Sequence, residues 1–300
     1  MICGIYSSEL PDLELIARGK VRDLYKVDED SLLFVATDRV SAYDVIMKTS
    51  IEGKGCILSQ MSIFWFDCLK DIVPNHLITA NVDEMPEKLH KYRNVIEHRS
   101  MLVKKLKVLP IEAVVRGYIS GSAWAEYKKY GTVNEIKMPE NMKESQKLEK
   151  PMFTPSTKAE LGAHDEYIHP DKVKDIIGEE YAKQVEEVAV QLYEEASEFA
   201  AKKGIIIADT KFEFGVDSQG KLYLIDEAFT PDCSRFWSAK DYKVGKPQLS
   251  YDKQYLRDFL ESVDYDKTTP IDLPPVVVEN TLKKYIEAFV KLTGNRPIFY

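Results

Sequence analysis

The stretch IIIADTKFEFGVDSQGKLYLIDEAFTPDCSRFW, residues 205–237, decides how the rest of this 300-residue chain is interpreted. It opens with a run of isoleucines typical of a buried strand and then alternates between polar and apolar side chains. A turn sequence, DSQG at residues 217–220, separates it from a second apolar run that ends in Asp226 and Glu227. The pattern predicts a β-hairpin whose open end carries charged side chains.

Two registers of this hairpin are compatible with the sequence. A four-residue loop places Lys211 opposite Asp226, with Glu213 as the diagonal neighbour of Asp226. A shift of one residue brings Glu227 onto the face of Glu213 instead, because side chains alternate between the two faces of a strand. Both registers bring two carboxylates and one lysine together at the end of an apolar ribbon.

Neighbouring carboxylates repel each other unless something compensates their charge. A divalent cation with oxygen ligands would do so, and a lysine beside it suggests a third component that carries phosphate. The alternative is an exposed hairpin with one cross-strand ion pair, which stabilises the fold by less than about 1 kcal/mol. The following loop, TPDCSR at residues 230–235, favours the ligand site because it adds an arginine, an acid and hydroxyl groups.

The composition is that of a globular protein. Apolar residues make up 44% and charged residues 30% of the chain, which excludes a wholly disordered protein. The net charge of −8 argues against nucleic acid or an anionic membrane as the main partner, so local clusters of Lys and Arg must hold any anionic substrate. The first residues show no signal-peptide pattern, and no apolar run reaches the roughly 20 residues of a membrane span.

The cysteine pattern bears on the cellular compartment. Cys3, Cys56, Cys68 and Cys233 are scattered along the chain without CxxC spacing. Such usage is typical of free thiols in a reducing compartment rather than of disulfides or a zinc site. We therefore expect a cytoplasmic protein.

A glycine flanked by cations lies near the N-terminus, in the segment IARGKVRD at residues 16–23. Between two predicted strands, Gly19 and neighbouring backbone amides can cover a triphosphate, with Lys20 and Arg22 adding positive charge. A basic surface turn is the alternative, because the chain contains no GxxxxGK[ST] motif. The next polar segment, TDRVSAYD at residues 37–44, follows a buried-type strand and predicts a functional loop, although turn formation alone would also explain its polar residues.

Further elements follow from periodicity and turn residues. Residues 53–55, Gly-Lys-Gly, are interpreted as a flexible basic turn, and Ser59 as the N-cap of a helix over residues 60–71. The polar segments 74–98 and 134–152 are predicted as irregular excursions, the second as a mobile loop. Other helices are predicted over residues 122–130, 179–203 and 276–293. This order of elements predicts an α+β or mixed α/β fold rather than a doubly wound sheet.

Strand patterns on either side of Pro110 suggest a hinge between two domains. At a nucleotide site, such a crossing would place Lys104 and Glu112 beside the adenine. A strand–turn–strand unit with solvated lysines is the alternative. Arg116 ends an apolar strand beside the small residues 120–122, which makes it a candidate for binding an anion.

Seven segments together resemble one enzyme family, the phosphoribosylaminoimidazole-succinocarboxamide synthases, also called SAICAR synthetases. They appear in the family's order over nearly the whole chain: RGKVRD, TDRVSAYD, EAVVRGYISGSAW, FTPSTKAE, IIIADTKFEFG, LIDEAFTPDCSRFW and SYDKQYLRD. The two excursions make the chain longer than compact bacterial members and more similar to the fungal form. The resemblance implies a two-domain fold with an antiparallel-sheet domain over residues 1–109, an α/β domain over residues 110–300, and ATP in the cleft between them.

The family's reaction joins the carboxylate of carboxyaminoimidazole ribotide (CAIR) to the amine of L-aspartate and converts ATP to ADP and phosphate. The resemblance implies that Glu213 and Asp226 hold Mg²⁺ on the ATP phosphates and that Lys211 neutralises charge on the transferred group. It assigns catalytic roles to Asp209 and Arg235 as well. The implied nucleotide-binding residues are Gly19, Lys20, Arg22, Lys104 and Glu112. The implied substrate-binding residues are Ser41, Asp44, Arg116, Ser122, Lys158, Asp165, Asp232 and Arg257.

Two other functions fit parts of the pattern. A small-molecule kinase would use the same lysine and paired acids but would leave a stable phosphorylated acceptor. A regulatory module that binds a nucleotide without turnover would need neither both acids nor the lysine. The sequence favours the ligase, acting on CAIR, L-aspartate and ATP, and a monomer rather than a large oligomer.

Overall fold

The computed structural model describes residues 4–158 and 166–299. Within these residues the strands are β1 (Glu14–Arg18), β2 (Arg22–Lys26), β3 (Ser31–Ala36), β4 (Ser41–Ala42), β5 (Val45–Ile46), β6 (Leu77–Thr79), β7 (Ser100–Lys104), β8 (Lys107–Val108), β9 (Ile111–Tyr118), β10 (Thr132–Val133), β11 (Ile136–Lys137), β12 (Lys147–Phe153), β13 (Ser156–Thr157), β14 (Ile205–Val216), β15 (Leu222–Ile225) and β16 (Ser234–Ser238). The helices are α1 (Lys54–Cys68), α2 (Glu87–His90), α3 (Arg93–Ile96), α4 (Gly121–Tyr130), α5 (Val173–Ile177), α6 (Glu179–Lys202), α7 (Gln254–Ser262) and α8 (Pro275–Thr293), with short 3₁₀ turns at Val82–Glu84 and Pro170–Lys172. The predicted α+β class is confirmed.

A five-stranded antiparallel sheet occupies the N-terminal third of the chain, in the order β1-β2-β3-β7-β6. Leu33 and Val35 are buried on one face of it, since alternate side chains of a strand point the same way. They pack against apolar side chains of the segment that follows β6, among them Leu89 and Ile96. The excursion predicted at residues 74–98 therefore covers one face of this sheet.

A seven-stranded sheet is built around β14, which pairs with β9, β15, β16 and β8, all antiparallel. Its twelve residues are long enough for different parts of the strand to have different partners. The amphipathic helix α6 lies against β14 and buries Val185, Leu192 and Ala196. The stretch at residues 205–237 is thus the centre of the larger sheet, as its apolar runs predict.

The hairpin of β14 and β15 adopts the shifted register. Val216 lies opposite Leu222 and Glu213 opposite Ile225, so the loop has five residues, 217–221. The carboxylate of Asp217 accepts bonds from the amides of Gln219 and Lys221, both at 2.9 Å, and this local turn adds the extra residue. Of the two registers compatible with the sequence, the one that places Lys211 opposite Asp226 is therefore not adopted.

Helix α1 begins at Lys54, six residues before the predicted start. Gly53 is its N-cap with φ +87°, and the amide of Gly55 donates to Asp38 Oδ1 at 2.9 Å. A Cβ at position 55 would lie 2.3 Å from the carbonyl oxygen of Ala36. The two glycines therefore allow the helix start to pack against the end of β3, and Ser59 lies inside the helix rather than at its N-cap.

The charged segment at residues 134–152 is not a loop throughout. β12 pairs with β9 at the edge of the large sheet, and β10 pairs with β11. Leu148 and Met138 are buried in a small cluster with Ile119, which follows β9, and Ala123 of α4. The polar residues of β12 are exposed, and they make this strand difficult to recognise in the sequence. The helices predicted near residues 122–130, 179–203 and 276–293 are confirmed as α4, α6 and α8.

The largest hydrophobic cluster joins the two halves of the chain. It contains Trp65 and neighbouring residues of α1, Phe212 and Phe214 of β14, Leu192 of α6 and Tyr285 of α8. Residues on both sides of position 109 thus share one core, and the domain boundary at that position stays a prediction. Among the described residues, no helix combines the length and apolar character needed to cross a bilayer.

Candidate active site

A cleft of about 520 Å³ lies between the turn joining β1 to β2 and the open end of the β14–β15 hairpin. The structure brings many of the predicted site residues to this one cleft. Those that line it are Gly19, Lys20, Arg22, Ser41, Asp44, Glu112, Lys158, Lys211, Glu213, Asp226, Asp232 and Arg257.

Arg22 connects the two walls of the cleft. Its Nη1 lies 2.7 Å from both carboxylate oxygens of Asp226, and its Nη2 lies 2.7 Å from Glu227 Oε1. Burial alone would lower the pKa of Arg22, but the carboxylates of Asp226 and Glu227 raise it above its usual value. A permanent cation therefore joins the glycine turn to the hairpin across 204 residues of sequence.

The hairpin pairing stops at Ile225 because the backbone of Asp226 turns into the left-handed region, with φ +66°. Both acids that follow can then approach Arg22. Burial and the neighbouring charge of Glu213 raise the pKa of Asp226, while Arg22 opposes the rise. Glu213 itself forms an ion pair with Lys158.

These carboxylates fit a magnesium ion that is shared with phosphates. Within residues 4–158 and 166–299, no cluster of three or more Asp, Glu, His or Cys side chains forms a ready-made metal cage. Mg²⁺ commonly binds one or two protein carboxylates and takes its other ligands from water and substrate phosphates. Glu213 and Asp226, which both line the cleft, are such a pair of carboxylates.

Lys211 lies in the middle of β14, where its backbone pairs with Val114 of β9. Its ammonium group forms an ion pair with Glu112. Burial would lower the pKa of Lys211, yet Glu112 and Glu213 raise it above its usual value. Lys211 therefore carries a positive charge throughout the neutral pH range, beside the acids of the hairpin.

Arg39 holds the glycine turn in place, and sequence analysis assigned it no role. Its guanidinium donates to the carbonyl oxygens of Gly19 at 3.0 Å and Lys20 at 3.2 Å, and to Asp23 Oδ1 at 2.8 Å. Only 2% of Arg39 is exposed. Since buried charge-assisted bonds are strong, this residue fixes the shape of the turn that borders the cleft.

Asp209 is surrounded by a second charged cluster, whose residues are not part of the lining of the cleft. Its Oδ2 accepts from Arg116 Nη1 at 3.1 Å and from Arg235 Nη1 at 2.6 Å. Burial would raise the pKa of Asp209, but the charges of Arg235 and Arg116 hold it below its usual value. Arg116 Nη2 also donates to Ser122 Oγ at 3.2 Å, so these four predicted residues form one unit. Two arginines that share one carboxylate leave an excess positive charge, which suits an anion.

Gly121 is required beside this cluster. Its φ is +55°, and a Cβ there would lie 2.3 Å from Arg235 Nη2. The backbone thus approaches the guanidinium more closely than any other residue allows. This explains the glycine between Ser120 and Ser122 in the sequence.

Lys104 lies apart from the other predicted residues that the structure describes. Lys104 is not part of the lining of the cleft; its ammonium lies 4.9 Å from the centre of the Tyr223 ring and borders a separate surface depression with Asp217. Asp165 lies outside the described residues, so its predicted role stays a prediction.

Asp232 is engaged by partners that sequence analysis did not identify. Its Oδ2 lies 2.7 Å from Lys54 Nζ and 3.2 Å from Lys253 Nζ, and its Oδ1 accepts from Tyr285 Oη at 2.6 Å. Burial would raise the pKa of Asp232, but Lys253 and Lys54 hold it well below its usual range. Nothing in the local sequence marks Lys54 as buried, because its partner lies 178 positions further along the chain.

Comparisons with known proteins agree with this arrangement. Residues 15–271 match the profile of the SAICAR synthetase family. A phosphoribosylaminoimidazole-succinocarboxamide synthase from Schizosaccharomyces pombe is 56% identical over 284 residues, which cover 94% of this chain and 94% of that protein.

Solved structures give the same result for the fold. The SAICAR synthase of Saccharomyces cerevisiae complexed with SAICAR is 49% identical and has a TM-score of 0.90, covering 98% of this chain and 99% of that one. A type-2 SAICAR synthetase in complex with ADP is 28% identical, with a TM-score of 0.70, and covers 95% of this chain and 100% of that one. The chain therefore belongs to the phosphoribosylaminoimidazole-succinocarboxamide synthase (SAICAR synthetase) family.

Proposed function

We propose that this protein joins CAIR to L-aspartate at the expense of ATP, giving SAICAR, ADP and phosphate in purine biosynthesis. Family membership over nearly the full length supports the reaction. The single observation that supports the location of the active site is the pair of ion contacts of Arg22 with Asp226 and Glu227. They bring the glycine turn and the acidic end of the hairpin into one cleft. The ADP complex of the related type-2 enzyme supports ATP as the nucleotide.

Glu213 and Asp226 are the residues that would hold Mg²⁺. When bound, the ion would neutralise charge on the ATP phosphates. Lys211 supplies a fixed positive charge beside the same carboxylates, where it stabilises charge that develops on the phosphoryl group during transfer. Arg22 and Lys20, on the turn that Arg39 fixes, close the other side of the nucleotide site. Glu112 keeps the ammonium group of Lys211 oriented through their ion pair.

The chemistry requires activation of a carboxylate, because a carboxylate is a poor electrophile. Transfer of the terminal phosphoryl group of ATP to an oxygen of the CAIR carboxylate would supply a leaving group, and attack by the aspartate amine would release it as phosphate. The protein contributes by positioning the reactants and neutralising charge, so it needs no covalent nucleophile. The buried Cys233 fits this view, since burial raises the pKa of its thiol to about 12.

The Asp209 cluster is the proposed site for the ribotide phosphate. Arg116 and Arg235 present two guanidinium groups against one carboxylate, and Ser122 adds a hydroxyl. Planar guanidinium groups bind phosphate oxygens in pairs. Asp209 then acts by orienting both arginines. Ser41, Asp44, Lys158 and Arg257 line the cleft and are proposed to contact CAIR or L-aspartate.

The remaining proposals concern the assembly. We propose a division near residue 109, a monomer, and a cytoplasmic location that fits the unpaired thiols of Cys56, Cys68 and Cys233. Size-exclusion chromatography with light scattering tests the monomer.

One assay tests the reaction itself. ADP and phosphate release is measured with all substrates and with CAIR or L-aspartate omitted in turn. The ligase requires both co-substrates for sustained phosphate release. A phosphorylated acceptor that accumulates without L-aspartate, with no inorganic phosphate, would show a kinase instead.

A further inference from the structure

The group formed by Lys54, Lys253, Asp232 and Tyr285 has more positive than negative charge. Lys54 is fully buried, 9% of the Lys253 side chain is exposed, and both ammonium groups approach the same oxygen of Asp232. Tyr285 binds the other carboxylate oxygen and contributes no charge. One carboxylate thus serves two buried lysines, and burying an uncompensated cation is costly.

The nearby acids do not correct this imbalance. Glu227 is held by Arg22 at 2.7 Å. Asp252 accepts hydrogen bonds from the backbone amides of Phe236 at 2.9 Å and Gln254 at 2.7 Å. Of the cations around it, Arg257 lowers the pKa of its carboxyl group most. The excess positive charge therefore remains on the side of Lys253, which lines the cleft together with Arg257.

The position of Lys54 adds to the cost. It is the first residue of α1, and the first turn of that helix contains no acidic residue. The N-terminus of a helix carries a partial positive charge and favours anions rather than cations. Local structure thus disfavours a buried lysine here, and within the described part of the chain its ion-pair partner is the distant Asp232.

We propose that Lys54 is a positioning residue: it takes up the negative charge of Asp232 and so leaves Lys253 available to bind a carboxylate group of a substrate. The proposal rests on the proposed function, which supplies two carboxylate substrates, the ribotide and L-aspartate. Lys54 is not part of the lining of the cleft and acts only through Asp232. The buried excess charge is then compensated when the substrate carboxylate arrives.

Variants that change the number of charged groups around Asp232 test the proposal. Lys54→Met leaves one lysine with one acid, so Asp232 neutralises Lys253. The double variant Lys54→Met/Asp232→Asn leaves Lys253 beside a neutral amide and restores the excess charge. We expect Lys54→Met to raise the KM for CAIR or L-aspartate about tenfold, with less than a twofold change in the KM for ATP. We expect the double variant to return that KM to within about threefold of the wild-type value.

Tyr285→Phe is the matched control. It removes a hydrogen bond to the same carboxylate without changing the charge count. A thermal melt records the stability of every variant. If Lys54 only stabilises the fold, the KM will rise with the loss of stability in both Lys54→Met and Tyr285→Phe. The double variant will then be less stable and have a higher KM than either of them. That pattern, or an equal rise in the KM for ATP, overturns the proposal.

Two further measurements keep the test decisive. If Lys54→Met does not fold, Lys253→Met is used, because it leaves the Lys54–Asp232 pair intact; an unchanged KM for both carboxylate substrates overturns the proposal. Calorimetric binding of CAIR and of L-aspartate, each measured separately with ADP present, identifies which carboxylate Lys253 binds and does not depend on turnover. Wild-type protein that fails the substrate-omission assay would overturn the proposed function, whereas failure confined to the variants overturns only the role of Lys54.

Discussion

The acids at the open end of the β14–β15 hairpin outnumber the cations around them among the described residues, whereas two other acids, Asp209 and Asp232, are each shared by two cations. At the hairpin, the described ion pairs join four carboxylates (Glu112, Glu213, Asp226 and Glu227) to three cations (Arg22, Lys158 and Lys211). Asp209 serves two arginines and Asp232 serves two lysines.

The two kinds of site, one acidic and one cationic, suit the two kinds of ligand that the reaction needs. An excess of carboxylate attracts a divalent cation, and an excess of buried cations attracts phosphate or carboxylate groups. Because the whole chain has a net charge of −8, the second kind of site must be concentrated locally. We therefore propose that the acidic end of the hairpin holds the metal–nucleotide complex and that the two cationic clusters hold the anionic groups of the co-substrates.

The largest effect is expected when the acidic side is changed. Asp226→Asn should lower kcat by at least about tenfold, because it removes a metal contact and leaves Arg22 with fewer anions. Steady-state kinetics at saturating Mg²⁺ measures it. Asp217→Asn, in the loop of the same hairpin, is the control and should keep kcat. Near-wild-type turnover of Asp226→Asn would contradict the proposed metal-binding role of Asp226. The proposed contrast between an acidic metal site and cationic anion sites would then fail as well.

A change on the cationic side should act on binding instead. Arg235→Ala removes one of the two guanidinium groups on Asp209 and should raise the KM for the ribotide about tenfold, with the KM for ATP unchanged. Arg93→Ala, at an exposed ion pair far from the cleft, should change neither constant. A rise in the KM for ATP alone would show that this cluster serves the nucleotide.

Gly121 allows the same cluster to be perturbed without changing its charge. Gly121→Ala would push Arg235 aside, and we expect a several-fold rise in the KM for the ribotide. Gly131→Ala is a matched control, because position 131 also has a positive φ but no atom of the described residues lies within 4 Å of its added Cβ. Each variant should lose about 1–2 kcal/mol of stability from backbone strain, measured by urea unfolding. Equal KM values in the two variants would show that the contact with Arg235 does not matter.

The elements that sequence analysis predicted well are those with long, regular patterns. β14 has a β-branched run and alternation, and α6 has an apolar face over 24 residues, so local pattern and tertiary packing agree. The start of α1 could not be predicted because the requirement for Gly55 comes from the carbonyl of Ala36, which only the folded structure brings near. The choice between the two hairpin registers could not be made from the sequence, because it depends on the longer loop that Asp217 closes.

The site shows the same division between local and distant information. Glu213, Asp226 and Lys211 could be found because they are close in sequence and share one hairpin. Lys54 and Arg39 could not, since their significance depends on burial and on partners far away in the chain. Lys104 illustrates the opposite case: a lysine at a strand end was assigned to the nucleotide, but it lies over Tyr223 outside the lining of the cleft, so its role stays a prediction.

The smallest expected effect concerns His76, which is buried near Arg22. Burial, and then the charge of Arg22, lower the pKa of His76 from about 6.5 to about 3. Burial is the larger cause and the charge of Arg22 adds to it, while the backbone of Asp226 opposes the shift. Between pH 6.5 and 3 the unfolded chain binds a proton at this residue and the folded chain does not.

The free energy of unfolding should therefore fall by about 1.4 kcal/mol for each pH unit below 6 through this residue alone. His76→Gln removes that contribution, so urea unfolding between pH 7 and pH 5 should show a shallower pH dependence than in the wild type. Equal slopes in the wild type and the variant would show that His76 takes up a proton in the folded state, which contradicts this prediction.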